Sequence, residues 1–465
     1  MPTTQAVEIF FLLGPFWLLL LAIPVLLLGE QMVRRVPVLA RLSIPAAVMG
    51  GLIVALTILA IRTFNENAIG VNNRTASVAW HWIGLPQWDL SAIKPASVTQ
   101  PLLVLFFTCI GLNASWAVAG KGSGKLFLYL FLAGVLAVLQ YASGIGTALV
   151  IGESALMGMM CSGVALMGGF GTAAGFSQEF EKAGLANASS IGVAAAAFGV
   201  VVGGLIAGPL GQWIVNSQKL VTPGKNAVSI TTDANSPPDS RPDSRPDSLV
   251  DEGGFFDDLR NMFARPGQTL LHILVLLTCV KLGVFISVWV VEAGTPLVRS
   301  IPGVAQDYKL AFPTYMGAMI LAVIVRNIHD AIGLKFLSSK HIDVISSFVL
   351  AWFLTAVMIA LQLRELIDSA AAMLIIVAVQ VGVMVIFARW VVFYVMGRDY
   401  EAAAMSSGMV GFGLGATSNA LASIKALTLR FGPAPQAVII TSVVGAFLID
   451  FINAIMITFG LNVFR

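Results

Sequence analysis

The chain has 465 residues, 57% of them hydrophobic and 11% charged. A soluble domain carries about 25% charged residues to cover its surface, so most of this surface must face lipid. A net charge of +3 with no basic tract gives a nucleic acid nothing to bind.

Ten apolar segments are long enough to cross a bilayer as helix, at about 9–29, 43–61, 101–119, 125–151, 187–215, 269–291, 310–328, 344–361, 369–396 and 433–460. The first has no basic region ahead of it and is longer than a signal-peptide core, which predicts a retained helix. Two more apolar segments, 154–182 and 401–430, are interrupted by glycines. Cys109, Cys161 and Cys279 lie within apolar segments, and His81, His272, His329 and His341 are scattered. Neither set has the spacing of a disulfide framework or a metal site.

Between the fifth and sixth crossings the composition changes. SPPDSRPDSRPDS (236–248) has too little apolar surface to fold, which predicts a disordered linker over 216–266. Within it, Phe255, Phe256, Leu259, Met262 and Phe263 recur at helical spacing. They form either an interfacial helix over 255–265 or the polar lead-in to the next crossing.

The segments before and after the linker echo one another. Ile44-Pro45 and Phe312-Pro313 each open an apolar helix, 268 residues apart, and GGFGTAAG at 168–175 is echoed by GFGLGAT at 411–417. Two repeats are therefore expected, 1–215 and 267–465, each with five crossings and one glycine-broken segment. An odd number of crossings per repeat makes the second inverted with respect to the first.

Lysine and arginine sort in agreement. Arg34, Arg35, Arg41, Lys121, Lys125, Lys225, Arg326, Lys340 and Arg398 fall on one side if the N-terminus is outside and the broken segments do not cross. The expected fold class is thus an all-α polytopic membrane protein of two inverted five-helix repeats, each with a re-entrant helical hairpin (154–182 and 401–430). Both termini are expected to be periplasmic and the linker cytoplasmic.

An arm from Ser154 to Met167 spans roughly 21 Å, enough to bring GGFGTAAGF to the middle of a ~30 Å hydrocarbon core. Broken helices there offer amides to carboxylates, and carbonyls to Na⁺. Gly169, Gly171 and Thr172 on the first tip, and Gly413, Gly415, Thr417 and Ser418 on the second, are the candidates for holding an anionic substrate. The other reading of these glycines is close helix packing. A dinucleotide-binding loop is excluded, since no strand precedes the motif.

Intramembrane polar residues are costly and often functional. Asp450 and Asn453 share a face of the last crossing and, with Asn419, are the Na⁺ candidates. Asn113 caps a helix, bridges two helices or binds substrate. Lys281 is a buried counter-charge or a snorkelling residue, and Arg389 lies within snorkelling distance of the cytoplasmic end.

With these residues assembled, the chain resembles the bacterial glutamate/sodium symporter family. The resemblance is carried by CIGLNAS (109–115), GGFGTAAGF (168–176), AFGVVVGGLIAGP (197–209), GFGLGAT (411–417), RFGP (430–433) and VVGAFLIDFINA (443–454). It implies Na⁺-coupled uptake of L-glutamate across a bacterial inner membrane, by a transporter and not an enzyme. Na⁺ would be the co-transported ion, with no cofactor. By analogy with related transporters it also implies a homodimer and an elevator-like moving domain. Val410 stands where the family's Gly-Gly-x-Gly motif would place its first glycine in the second repeat. Rival readings are a Na⁺- or H⁺-coupled carrier of a di- or tricarboxylate, an ion channel, or a membrane-embedded enzyme.

Overall fold

The computed structural model describes residues 11–36, 45–65, 68–77, 80, 96–115, 124–224, 266–300, 310, 312–334, 336–415 and 417–464. Most of the expected linker, including 255–265, lies outside them, as does Ala416. The described chain is nearly all helical, with eight helices long and apolar enough to cross a membrane.

The helices run in chain order as α1 (Pro15–Arg35), α2 (Ala46–Phe64), α3 (Gln100–Asn113), α4 (Gly124–Val150), α5 (Ala155–Met159), α6 (Gly169–Lys182) and α7 (Ala188–Ser217). After the linker come α8 (Pro266–Arg299), α9 (Thr314–Ile332), α10 (Ser339–Ile359), α11 (Leu363–Ile386), α12 (Tyr400–Leu414), α13 (Thr417–Phe431), α14 (Pro435–Val443) and α15 (Ile449–Val463). Three stretches wind as wider π-helix: Met160–Met167 after α5, Phe387–Val392 after α11, and Val444–Leu448 between α14 and α15. Such turns are rare and concentrate at functional sites.

All ten apolar segments carry helix, but three details differ from the sequence expectation. Short strands β1 (Phe11–Leu13) and β2 (Ile69–Val71) pair in parallel, and β3 (Arg74–Thr75) pairs antiparallel with β4 (Ala96–Ser97), so the chain is not purely helical. Helix α3 stops at Asn113 after 14 residues, about 21 Å of rise. Asn327 donates to the Ala114 carbonyl at 2.9 Å, and Arg326 places a guanidinium nitrogen 3.4 Å from the Leu112 carbonyl. A cation beside the last carbonyls suits the negative end of a helix dipole. The final crossing is interrupted at Val444–Leu448.

The helices sort into two packed groups. Helices α1, α2, α3, α8, α9 and α10 pack on one another, and α4 to α7 with α11 to α15 form the second body around α7. The bodies meet along few elements: α10 and α3 against α6, α2 against α11, and α3 against the Val444–Leu448 turn.

At one end of the first body a polar network joins three helices. Asp330 accepts from Arg326 at 3.0 Å and from the Ser115 hydroxyl, and lies 3.1 Å from His329 Nδ1. His272 Nδ1 donates to the Gln268 carbonyl at 2.6 Å, while its Nε2 accepts from the Ser338 amide at 2.8 Å. These two histidines hold helix ends.

In the second body buried polar side chains find partners among backbone carbonyls, one of them at the end of a broken helix. Tyr129 donates to Met405 O at 2.8 Å, Gln140 to Gly413 O at 2.7 Å, Asn419 to Val200 O at 2.8 Å, and Ser407 to Ala207 O at 2.7 Å.

Candidate functional site

Two breaks carry the site, one in each half of the chain. Ser154 starts the first arm, its hydroxyl accepting from the Met157 amide at 3.1 Å. The π-helix that follows contains Ser162 at φ −117° and ψ −114°, outside helical space. The break itself falls at Gly168–Gly169. Gly169 has φ +65°, a left-handed conformation that glycine adopts without steric cost. The second arm starts at Asp399, whose carboxylate accepts from the Ala402 amide at 2.7 Å, and its helix ends at Leu414.

The breaks lie at the edges of the glycine motifs. Phe170, Gly171 and Thr172 already belong to the first turn of α6, and Gly411, Phe412 and Gly413 to the last turn of α12. Gly411 and Gly413 serve packing. A Cβ at Gly411 would sit 2.5 Å from Ala420 Cα in the facing arm, and one at Gly413 would sit 2.7 Å from Met384 Cε. The glycines thus have two structural uses, a left-handed break at Gly169 and close packing at Gly411 and Gly413. Motif matching pairs Gly169 with Gly411, whereas contact pairs Gly169 with Gly415: a Cβ on Gly169 would lie 3.1 Å from the Gly415 carbonyl oxygen.

The breaks open onto a cavity of about 820 Å³. Of the sequence candidates, Asn113, Gly169, Gly171, Thr172, Gly415, Thr417 and Asp450 line it. The N-terminal turn of α6 lines this space and has no side-chain cap, and the first amides of any helix lack intrahelical partners. Uncapped amides carry the positive end of the helix dipole and favour an anion. Thr417 opens α13 at the same cavity, its hydroxyl donating to Gly445 O. The Ser418 side chain lies outside the described residues.

Three candidates stand back from the cavity. Gly413 binds Gln140 through its carbonyl. Asn419 is buried behind the second break, where its Nδ2 would lie 2.9 Å from a Cβ on Gly415, and its Oδ1 has no hydrogen-bond partner. An unpaired amide oxygen beside broken backbone suits a hard cation. Asn453 is different: its oxygen accepts from the Tyr141 hydroxyl at 2.6 Å, and the unpartnered atom is the amide nitrogen, packed at Gly168. A donor does not ligate Na⁺, so Asn453 fits bracing of the first break better than ion binding. Among the described residues no cluster of three or more His, Cys, Asp or Glu side chains is placed to hold a metal.

Asp343, at the start of α10, also lines the cavity and accepts from Asn113 Nδ2 at 2.6 Å. It lies one residue outside the apolar segment expected at 344–361, where it reads as an ordinary loop charge. Only the KHIDV junction, a carboxylate at the mouth of a crossing, hints at it. The cavity lining thus includes two carboxylates, Asp343 from the first body and Asp450 from the second, with Glu30 at the C-terminal turn of α1.

A second cavity of about 1150 Å³ lies beyond the tips, lined by Arg74, Gln178, Glu179, Glu181 and Lys182 among others. An aromatic barrier separates the two. Phe107, from the first cavity, stacks on Tyr315, from the second, at 4.4 Å between ring centres, and Phe176 meets Tyr315 edge-on at 5.3 Å. All three rings are buried. The first cavity is bounded by Glu30, Pro45, Asn113 and Asp343, all at helix ends on the side where Arg34, Arg35 and Lys340 lie.

The sodium/glutamate symporter family matches over residues 13–433. A sodium/glutamate symporter of Haemophilus influenzae is 32% identical over 448 residues, covering 94% of this chain and 95% of the relative. One from Escherichia coli K12 is 31% identical over 435 residues, covering 93% of each.

Proposed function

The chain belongs to the sodium/glutamate symporter family, and from that membership we propose that it carries L-glutamate into the cell together with Na⁺ by alternating access. The observation that carries this reading is the meeting of Gly169 and Gly415 on one cavity, where helix N-termini from both halves of the chain offer amides to a carboxylate. Gly169, Gly171 and Thr172 with Gly415, Thr417 and Ser418 hold the substrate carboxylates. Asp450 holds Na⁺, with Asn419 turning its free oxygen to the ion. Asp343, steadied by Asn113, pairs with the substrate ammonium. A second carboxylate in the cavity favours a zwitterion over a di- or tricarboxylate, which would be repelled there.

The same reading makes 1–215 and 267–465 inverted repeats, with re-entrant hairpins at 154–182 and 401–430 in a bacterial inner membrane. The linker lies in the cytoplasm and both termini in the periplasm. Its support is the clustering of basic residues at one set of helix ends, where Lys125 lies 3.9 Å from Asp399, next to Arg398. The sparse contact between the two bodies supports an elevator movement of the second against the first, in a homodimer. With the barrier closed toward Arg74 and the cavity bounded by the ends near Arg34, the molecule is in an inward-facing state.

The test is uptake into proteoliposomes with and without an imposed Na⁺ gradient, competed with glutamate, aspartate and citrate. Accumulation driven by the gradient and competed best by glutamate is the expected result. Uptake indifferent to Na⁺ would overturn the coupling, stronger competition by citrate the substrate, and conductance without substrate the carrier mechanism.

A further inference from the structure

Arg389 is placed in a way the transport reading does not explain. It sits near the end of the ninth crossing, in the π-helical stretch Phe387–Val392, and is only 7% exposed. At that exposure it does not reach solvent as a snorkelling arginine would. Its Nε and Nη1 are buried without any hydrogen-bond partner. Four rings surround it, with the guanidinium carbon 5.1 Å from the centre of Trp213, 5.5 Å from Phe393, 5.7 Å from Tyr394 and 5.9 Å from Trp390. Aromatic faces attract a cation, yet they leave its donors unused.

The surroundings show what those donors await. Arg398 stands over the other side of the same patch, its guanidinium carbon 4.6 Å from the Tyr394 ring. Arg430 donates to Gln212, the neighbour of Trp213, at 2.7 Å. Among the described residues, none of these three arginines has a carboxylate within 4 Å. Trp213 and Trp390 are 50% and 57% exposed on the outer face. Trp213 is four residues from the end of α7, where the chain enters the linker. An outward-facing tryptophan and tyrosine girdle at helix ends marks the level of lipid headgroups.

We infer that Arg389 and Arg398, bridged by Tyr394, form a binding site for the phosphate of an anionic phospholipid in the linker-side leaflet. The unpartnered N–H groups of Arg389 leave a guanidinium free to donate charge-assisted hydrogen bonds to phosphate oxygens. The exposed indole rings of Trp213 and Trp390 take the glycerol and upper acyl chains. A basic pocket between helix ends at this depth is the arrangement that recognises acidic headgroups. The site belongs to the second body, built by α7 and the chain just after α11, and lies apart from the cavity at Gly169 and Gly415.

The test uses purified full-length chain, stripped of lipid and given phosphatidylglycerol, phosphatidylcholine or inorganic phosphate. Native mass spectrometry and the melting temperature are read in parallel. The wild-type chain should retain phosphatidylglycerol and melt several degrees higher with it, and do neither with phosphatidylcholine. Both effects should fall severalfold in Arg389→Gln and more weakly in Arg398→Gln. Arg398 is exposed, so the second variant reports even where the first fails to fold. Unchanged phosphatidylglycerol retention in the variants would overturn the site. Protection by inorganic phosphate equal to that by phosphatidylglycerol would mark a soluble-anion site and overturn the lipid assignment.

Discussion

Two carboxylates in one cavity invite a division of labour that single substitutions can separate. Asp450→Asn keeps the shape but removes the charge proposed to hold Na⁺. The Na⁺ concentration for half-maximal uptake should rise about tenfold or more, equivalent to ~1.4 kcal/mol, with protein level unchanged. Normal Na⁺ activation in that variant would take Asp450 out of the ion site. Asp343→Asn acts on the other partner. A hydrogen bond to a charged group contributes about 1.5–3 kcal/mol, so the KM for glutamate should rise at least about tenfold while the Na⁺ dependence stays. An Asp343→Asn variant shifted only in its Na⁺ dependence would reverse the two roles. Of this pair, the sequence marks Asp450, because a lone acid in AFLIDFINA stands out against its surroundings. Asp343 escapes notice because nothing local separates it from the charges of an ordinary loop; its role arises only when α3 brings Asn113 beside it.

At the level of the element, the first break depends on a backbone angle. Gly169 at φ +65° faces the Gly415 carbonyl, so Gly169→Val introduces both strain and bulk. A left-handed residue with a side chain costs about 1–2 kcal/mol, and a branched Cβ also pushes the two breaks apart. Uptake should be abolished while the protein still reaches the membrane and runs as a single species in detergent. Retained uptake in Gly169→Val would show that the close approach is dispensable. Helix existence is readable from runs of apolar residues, since every expected crossing carries a helix. The break positions are displaced by a few residues from the motif centres. Glycine both loosens a backbone and lets two helices touch, and composition does not distinguish these uses. Gly169 does the first and Gly411 the second. The shortness of α3 is likewise hidden, because its stop is set by Arg326 and Asn327, more than 200 residues away.

For the whole molecule, the test of movement is to fasten the two bodies together. Leu103 on α3 and Gly175 on α6 face each other across the boundary, with a Cβ at Gly175 lying 3.2 Å from Leu103 Cδ1. Cysteines at both positions, in a background with Cys109, Cys161 and Cys279 replaced, should bridge through Hg²⁺. Uptake should drop at least tenfold and return on adding excess thiol, with either single cysteine unaffected by the metal. Full uptake in the bridged protein would rule out relative movement of the bodies during transport. No property of the sequence separates these groups, because α1 to α3 join α8 to α10 only through folding.

The aromatic partition between the two cavities also has an electrical meaning. A cavity reaches in from each side, and on α6 the two linings are only two residues apart, Thr172 on one side and Ala174 on the other. Where water and ions fill both cavities, the rings of Phe107, Tyr315 and Phe176 are the main insulator between them. The membrane voltage then drops over that thin layer rather than over the ~30 Å of surrounding lipid. Moving one net charge through it is worth about 2.3 kcal/mol per 100 mV, so a step too short to look large is electrically almost a full crossing. A cycle that carries more than one Na⁺ with each singly negative glutamate should therefore give substrate-dependent currents that rise steeply with an inside-negative potential, and a one-to-one cycle should give none.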